Sequence, residues 1–376
     1  MATPASPLTS SFDDMDDSFE ISFCREKVEA GHKRYLPLFN ALKLAEELIL
    51  DEFRAADERA KTCRSRYQNI SLGAVLAGLF AVILGICEIV LPHFWPIVSE
   101  LRLAVFESAA AVICLALILW GTIGKPKNQW LLARYQAENL RLLKFKMLMD
   151  ARLWCEEPEQ IDRSGETPPD HVRAEVRDAV RALHGLVYED VAERAAQGVV
   201  PDVSEIHCPD SCHEALQEII QYYRDKRLAT QMDYLAAKSD EEESGGRVWR
   251  LATSIFFFVS FGLVLFHLPF VFKTDTAKDP QDLKVPLQLL PSLLLLGAAL
   301  LPAMVAGIRT YRASREFERN ALRHRATLHS LEGLNAEMGK AKNLPRKFRI
   351  ARACELILEF DSCEFMRLLR EVEWYG

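Results

Sequence analysis

Four long stretches without a charged residue limit the fold of this chain more than any other feature of its sequence. They are residues 67–87, 108–124, 251–272 and 285–308. A helix that crosses the hydrocarbon core of a bilayer needs about 20 apolar residues. The stretches therefore predict four transmembrane helices. Their approximate ranges are 70–91, 103–124, 251–272 and 286–308, and the second includes Glu107. The alternative is four buried helices of a large soluble protein, but uncharged runs of this length favour a membrane.

Basic residues concentrate at the ends of the predicted spans that lead to the termini and to the central segment. They are Lys61, Arg64, Arg66, Lys125, Lys127, Arg134, Arg247, Arg250, Arg309, Arg312 and Arg315. The connection 91–100 has no lysine or arginine, and the connection 273–284 balances three lysines with three aspartates. Positive charge marks the cytoplasmic side of a membrane. Both termini and the central segment are therefore expected in the cytoplasm, with two short loops outside.

The chain outside the spans is polar and mostly helical in its periodicity. Its first 28 residues are acidic and lack the apolar core of a signal peptide, which predicts a disordered tail. The predicted parts are the tail (1–28), a first two-span helical module (29–155), a cytoplasmic linker and helix (156–211), a second two-span module (212–344) and a C-terminal cytoplasmic helix (345–376). The letters SGG at 244–246 are expected to loosen the long helix before the third span.

The two modules have the same order of elements, which suggests a duplication. A shift of 181 residues places Arg66 on Arg247 and Arg134 on Arg315, so one offset without gaps serves both ends of the hairpin. Identity between the halves is low, and hairpins of matched length would produce some of this agreement. A duplicated two-span module is the prediction that follows.

An apolar stripe along the first cytoplasmic helix predicts packing against other helices. Its members recur at steps of three and four and are Leu42, Ala45, Ile49, Phe53, Ala56 and Ala60. The stripe is more apolar than a solvated helix needs, which is the physical reason to expect a homo-oligomer. The predicted fold class is an all-α membrane protein with four transmembrane helices in two hairpins, whose long cytoplasmic helices form a bundle.

Enzyme signatures are missing from the sequence. The segment GTIGKPK at 121–127 lacks the spacing and the Ser or Thr of a phosphate-binding loop. The sequence contains no nucleophile elbow, no paired-histidine metal helix and no dinucleotide-binding glycine pattern. We therefore expect a protein that is not an enzyme and has no catalytic residue.

Three ionisable residues fall inside the predicted spans and are candidates for lining a pore. Glu88 lies near the outer end of the first span, Glu107 in the outer half of the second, and His267 toward the outer end of the third. Such groups are costly in a bilayer and often line a water path, so Glu88 and Glu107 of several copies would form cation-selective acidic rings. Alternatively, each residue reaches water among the lipid headgroups.

Two prolines interrupt the fourth predicted span. Pro291 and Pro302 are hinge candidates, because a kink at either position would serve gating. Transmembrane helices also accommodate proline without such a role, since neighbouring groups satisfy the freed carbonyl.

Residues 207–213, HCPDSCH, place two cysteines and two histidines together. A disulfide is not expected in the reducing cytoplasm. Ser211 followed by Glu214 forms a capping box, which predicts the start of a helix. Zinc needs four ligands in a tetrahedron, so Cys208 and Cys212 would bind it only together with further ligands, for example across an oligomer interface. No other cofactor is expected.

The chain resembles the SLATT group of bacterial membrane proteins. The resemblance rests on QYYRDKRLATQMDYLAAKSDEEESGGRVWR before the second hairpin, GIRTYRASREFERNALRHRATLHSLEGL after it, and the ending ELILEFDSCEFMRLLREVEW. The first half is similar in FRAADERAKTCRSRYQNI and WLLARYQAENLRLLKF. The resemblance implies a membrane effector or pore of nucleotide-triggered conflict and antiviral systems. Most relatives have one hairpin, whereas this chain has two predicted hairpins and no fused sensor domain.

These observations combine into one leading hypothesis. It is a multi-pass protein of the bacterial inner membrane that oligomerises and forms or gates a pore in stress or antiviral defence. Its expected partners are the lipid bilayer, further copies of the chain and a cytoplasmic sensor protein or nucleotide signal, and not nucleic acid. The alternative is a non-conducting anchor or scaffold that recruits a cytoplasmic partner through residues 171–240.

Overall fold

Helices account for every regular element that the structure describes. The structure is a computed structural model, and it describes residues 19–90, 100–149, 170–197, 213–276 and 285–371. The α-helices are α1 (Phe19–Glu29), α2 (Leu36–Ala45), α3 (Asp51–Val90), α4 (Glu100–Gly124), α5 (Pro126–Leu148), α6 (Asp170–His184), α7 (Tyr188–Gln197), α8 (His213–Tyr222), α9 (Ala229–Thr276), α10 (Val285–Arg315), α11 (Phe317–Lys340) and α12 (Leu344–Glu371). A short 3-10 turn covers Lys33–Tyr35. The prediction of an all-α protein is confirmed for these residues.

Two π-helical segments lie inside the longest helical stretches. Glu46–Leu50 joins α2 to α3, and Tyr223–Leu228 joins α8 to α9. In each case the helix continues without a break through the π segment. A π turn contains one residue more than an α turn and is frequently found at functional sites. One π segment thus precedes each of the long helices α3 and α9, and the duplication stays a prediction.

Three helical stretches are long and apolar enough to cross a membrane. They are Leu36–Glu88, Leu103–Gly124 and Glu214–His267, of 53, 22 and 54 residues. Their length and composition indicate a membrane protein. The fourth predicted span belongs to α10, which has 31 residues, but residues 285–293 of it are described by backbone alone. The fourth span therefore stays a prediction, as does the count of four.

Non-glycine residues with positive φ end two of the apolar helices. Lys125 has φ 44° between α4 and α5, and Glu316 has φ 49° between α10 and α11. Pro126 begins α5, where a missing N–H and a fixed φ are tolerated. Lys125 and Glu316 are separated by more residues than the offset of 181 that aligns the two hairpins in sequence. The second hairpin therefore continues for more residues before its break than the first.

The helices form two compact units. The first unit contains Met1–Thr62, Asn128–Asp240 and Ala321–Glu371, and the second contains Cys63–Lys127 and Glu241–Asn320. Each predicted two-span module contributes to both units, because the charged helices and the apolar helices group separately. Helices α3 and α9 begin in the first unit and end in the second.

The core of the first unit covers the apolar stripe of residues 42–60. Leu42, Ala45, Ile49, Ala56 and Ala60 are all buried. Part of the stripe packs with three valines of α6, which lie on one face at helical spacing: Val172, Val176 and Val180. Residues of the same chain therefore bury this stripe. The stripe no longer supplies a physical reason to expect an oligomer.

A second cluster of the first unit surrounds three large, fully buried side chains, Phe145, Tyr223 and Phe348. It joins residues of α2, α5, α8, α9, α11 and α12, among them Leu38, Leu216 and Leu331. Burial of such side chains from water is the main favourable term in folding. The prediction of a helical bundle by the charged helices is consistent with this packing.

Apolar helices of the second unit form antiparallel pairs. On α3 and α4, contacts pair Gly73 with Leu117, Gly78 with Cys114 and Gly85 with Glu107, so the residue numbers rise on one helix as they fall on the other. On α9 and α10, Ser260 donates a hydrogen bond to the Ala298 carbonyl at 3.0 Å, and the rings of Trp249 and Tyr311 lie 5.3 Å apart.

Gly245 and Gly246 do not loosen the long helix before the third span, and that prediction is wrong. Helix α9 is continuous from Ala229 to Thr276 and includes both glycines. A Cβ atom added at Gly245 would lie 3.3 Å from the Phe317 ring, and one at Gly246 would lie 3.3 Å from the Cβ of Phe317. The glycines permit close packing of Phe317 on α9, which explains their presence without a hinge.

Candidate functional site

Glu107 lies in the interface between α3 and α4. A Cβ atom added at Gly85 would lie 2.9 Å from Glu107 Oε1, so the carboxylate covers the bare backbone of α3 at this point. Glu107 is half-buried. Large apolar neighbours on α4, Val105 and Phe106, are 59% and 60% exposed. The carboxylate therefore faces the partner helix of its own pair, whereas the outer surface at this level is apolar.

Glu88 and Glu107 lie at the same end of the α3–α4 pair. Glu88 follows Gly85 by three residues, which places both on one side of α3. It is half-buried and has an interaction partner. Two predicted pore residues thus occur together at one end of the pair, as their positions in the sequence suggested, and their role in lining a pore stays a prediction.

His267 is half-buried near the end of α9. Its Nδ1 atom is buried and has no hydrogen-bond partner among the described residues. Within the same part of the chain, no ion pair or hydrogen bond joins it to Glu107. A buried polar atom without a partner is costly, and ionisable residues inside membrane spans often line a path for water or ions. The role of His267 in lining a pore stays a prediction.

Helix α10 is continuous through both prolines that were hinge candidates. It is helical from Val285 to Arg315, and Pro302 is exposed. The side chain of Pro291 lies outside the described residues. The break occurs later, at Glu316 with φ 49°. Gating by a proline kink stays a prediction, and Glu316 is the position at which the backbone changes direction.

The Cys208 and Cys212 pair lies outside the described residues. Helix α8 begins at His213, two residues after the predicted cap at Ser211, and Glu214 lies in its first turn. Zinc binding therefore stays a prediction. Among the residues that the structure describes, no group of three or more His, Cys, Asp or Glu side chains is placed to hold a metal ion.

A buried ionic cluster in the first unit was not predicted from the sequence. Arg227 Nε lies 3.1 Å from Glu355 Oε1, and Arg227 NH2 lies 3.3 Å from Oε2. The Tyr223 hydroxyl donates to the same Glu355 Oε1 at 2.8 Å. Both charged side chains are 3% exposed. The cluster connects the π segment before α9 to α12, residues that are far apart in sequence.

Surrounding groups fix the charge state of this cluster. The Arg227 guanidinium also lies over the Phe145 ring, 4.8 Å from its centroid. Burial, and then the Glu355 carboxylate, raise the pKa of Tyr223 well above its usual range. Burial and the adjacent carboxylate likewise raise the pKa of Cys354 to about 12. Tyr223 and Cys354 are therefore neutral, and the ionic interaction is between Arg227 and Glu355.

A partly buried cluster of cationic and aromatic side chains centres on the ring of Phe365. Arg323 lies over this ring at 4.8 Å and Arg134 at 5.9 Å, while Trp130 packs edge-on at 5.8 Å. His324, next in sequence to Arg323, is 8% exposed, and its Nδ1 atom has no hydrogen-bond partner in the described part of the chain. Burial, together with Arg323, Arg134 and Lys238, lowers the pKa of His324 to about 3. His324 is therefore neutral at physiological pH.

Comparison of the chain with protein-family models, with curated proteins and with solved structures finds no match.

Proposed function

We propose that this chain is a SLATT-type effector of the bacterial inner membrane, which oligomerises and forms or gates a pore in stress or antiviral defence. The observation that carries the proposal is the outer surface of the second unit. Large apolar side chains are at least 45% exposed along α4 and α9, among them Phe106, Trp120, Ile123, Phe258 and Phe266. Water-soluble monomers rarely expose an apolar surface of this extent, whereas lipid covers it.

Four spans in two hairpins agree with the pairing of these helices. Leu103–Gly124 has 22 residues, which at 1.5 Å per residue reaches about 33 Å and matches the hydrocarbon thickness. Helices α9 and α10 pair in the same antiparallel manner as α3 and α4. Antiparallel pairing returns the chain to the side from which it entered. This arrangement supports both termini on one side of the membrane, and the basic residues at the ends of the spans support the cytoplasm as that side.

A pore requires several copies, because Glu88 and Glu107 of one chain lie at one end of a single helix pair and two carboxylates do not form a ring. In the proposal, Glu88 and Glu107 of neighbouring copies provide the acidic ring. Helices α3 and α9 are continuous from the first unit into the second, so a signal that binds the first unit reaches the spans through unbroken helix. The signal in this proposal is a cytoplasmic sensor protein or a nucleotide.

A non-conducting anchor or scaffold is the second candidate. The observation that favours it is the position of Glu107, whose carboxylate faces Gly85 and not the outer surface of α4. A scaffold would recruit its cytoplasmic partner through residues 171–240. It would use the spans only for attachment.

Potassium efflux from liposomes separates the two candidates. Purified full-length protein is reconstituted at increasing protein-to-lipid ratios, and efflux is followed with a potassium electrode. A pore predicts efflux that rises more steeply than linearly with protein, because assembly precedes conduction. Glu107→Gln changes the rate or selectivity of that efflux, whereas Glu332→Gln, an exposed acid of the first unit at 59% exposure, serves as the matched control. Sealed liposomes that contain inserted protein would contradict the pore and favour the scaffold.

A further inference from the structure

Two arginines of the second unit share one carboxylate at the end of the α9–α10 pair. Arg250 NH1 lies 3.1 Å from Glu318 Oε1, and Arg312 NH2 lies 2.8 Å from the same oxygen. One carboxylate neutralises one guanidinium, so this group carries a net positive charge. Arg250 is 50% exposed, Glu318 53% and Arg312 25%, so a ligand can reach the group mainly from the side of Arg250 and Glu318.

Arg309 adds a third guanidinium at the same place. It lies one turn before Arg312 on α10, and residues three apart share a helix face. It is exposed, and among the described residues no carboxylate lies within ion-pair distance of it. Three guanidinium groups, of Arg250, Arg309 and Arg312, therefore accompany the one carboxylate of Glu318. Guanidinium groups bind phosphate oxygens well, because their donors match two oxygens at once.

Apolar and aromatic side chains adjoin these cations. Close to Arg250 in the sequence, Val248 is 64% exposed and Leu251 is 61% exposed. The rings of Trp249 and Tyr311 pack edge to face, 5.3 Å apart, at the same level of the pair. Trp and Tyr typically occupy the depth of the lipid headgroups, with hydrocarbon on one side and water on the other. A ligand that matches this surface has an anionic head and an apolar tail.

We propose that Arg250, Arg309 and Arg312 form a binding site for the phosphate of an anionic phospholipid. Glu318 pairs with Arg250 and Arg312 and limits the excess of positive charge. Zwitterionic lipids bind less well, because their cationic headgroups meet the surplus of guanidinium groups. A free phosphate would use the same donors, but it would gain nothing from the exposed Leu251 beside them. The inference rests on the membrane location of the second unit in the proposed function.

Lipid retention by the purified full-length protein tests the site. The protein is reconstituted in nanodiscs of equal parts phosphatidylglycerol and phosphatidylcholine with identical acyl chains, then extracted mildly, and the retained lipids are counted by native mass spectrometry. We expect phosphatidylglycerol to be enriched over phosphatidylcholine, on the order of fivefold for each uncompensated cation. Arg309→Gln with Arg312→Gln should abolish most of the enrichment. Glu318→Gln should increase it, because the carboxylate is removed.

A matched control removes the same charge elsewhere. Arg346→Gln with Arg367→Gln changes two exposed arginines of α12 that pair with Glu337 and Glu364. This control should retain the wild-type enrichment. Equal loss in the control, or enrichment unchanged in the Arg309 and Arg312 variant, would overturn the site. The thermal unfolding temperature of every variant in phosphatidylcholine alone shows whether it is folded, and an unfolded double variant leaves the increase in Glu318→Gln as the deciding result.

Excess inorganic phosphate distinguishes binding of a whole lipid from binding of a phosphate group alone. Enrichment that persists in phosphate buffer supports a lipid site, whereas its complete loss would overturn the lipid assignment. Failure of the protein to insert into nanodiscs would overturn both this site and the proposed function. Insertion with unselective lipid retention would overturn the site alone.

Discussion

The Arg227 guanidinium and the Glu355 carboxylate form an ion pair that is almost completely excluded from water, with Nε and Oε1 3.1 Å apart. The Tyr223 hydroxyl donates to the same carboxylate oxygen and lies 3.2 Å from the Ala351 carbonyl. A buried charge that loses its partner retains its full desolvation cost, which makes breaking such a pair far more costly than replacing it. This pair therefore fixes the π segment before α9 against α12.

Glu355→Gln should lower the free energy of unfolding strongly, by about 3–5 kcal/mol, because Arg227 then remains charged and buried. The measurement is denaturant-induced unfolding of the purified protein in detergent, followed by circular dichroism. Glu359→Gln is the matched control on the same helix, since its ion pair with Lys146 involves a half-exposed lysine. That variant should cost less than about 1 kcal/mol. Equal losses in both variants would contradict a special role for the buried pair.

Low pH should destabilise the first unit through His324. Its pKa is about 3 in the folded state against 6.5 for the free side chain, so the unfolded chain takes up a proton between these values. Its contribution to stability is complete above about pH 6.5 and is lost as the pH falls toward 3. At pH 5 the loss is on the order of 2 kcal/mol.

His324→Gln should flatten the dependence of stability on pH between 7 and 5, as measured by unfolding at a series of pH values. His329→Gln is the control, because His329 is 90% exposed on the same helix. A profile for His324→Gln that still falls as steeply as the wild type would show that other groups are responsible.

Gly85→Leu should disturb the α3–α4 pair, because the new side chain meets Glu107 at its first atom. Glu107 Oε1 is the free end of a flexible side chain and can turn away, so the cost should be at the lower end of the about 1–3 kcal/mol that is typical of overpacking. Gly262→Leu is the matched control in an apolar helix, since nothing lies within 4 Å of a Cβ atom added there. Thermal unfolding in detergent measures both. If Gly262→Leu is as destabilising as Gly85→Leu, the close approach at Gly85 is not the cause.

Cys354 should resist alkylation in the folded protein. Its side chain is fully buried, and its pKa of about 12 leaves almost no thiolate at pH 8. Peptide mass spectrometry after N-ethylmaleimide treatment should show Cys354 unmodified in native protein and modified in denaturant. Rapid modification without denaturant would mean that α12 opens readily from the first unit.

Hydrophobic patterning and charge were sufficient to predict the all-helical fold and the apolar helices. The uncharged runs are local signals, and so is the capping box before His213, where α8 begins. The stripe of residues 42–60 was also recognised, but its partner was not. Val172, Val176 and Val180 cover part of it from α6, and sequence periodicity does not reveal which surface a stripe meets.

Contacts between residues that are distant in sequence could not be predicted from local patterns. In the sequence, Arg227 and Glu355 are ordinary charged residues of charged helices. Such residues are usually expected to be solvated. A π turn has no residue signature, so the segment Tyr223–Leu228 gave no local signal either. The break at Glu316 lacks the glycine or proline that normally marks one, in contrast to Lys125, which Pro126 follows. Only the tertiary arrangement reveals these features.

Conduction by the protein in a planar bilayer tests the central claim most directly. Purified full-length protein is reconstituted into vesicles, and the vesicles are fused with a planar bilayer between two potassium chloride solutions of different concentration. The reversal potential is then measured. The proposal predicts discrete conductance with a cation-selective reversal potential, which shifts toward zero in Glu107→Gln and stays unchanged in Glu332→Gln. The absence of conductance, with insertion verified by protease protection of the same vesicles, would contradict a pore.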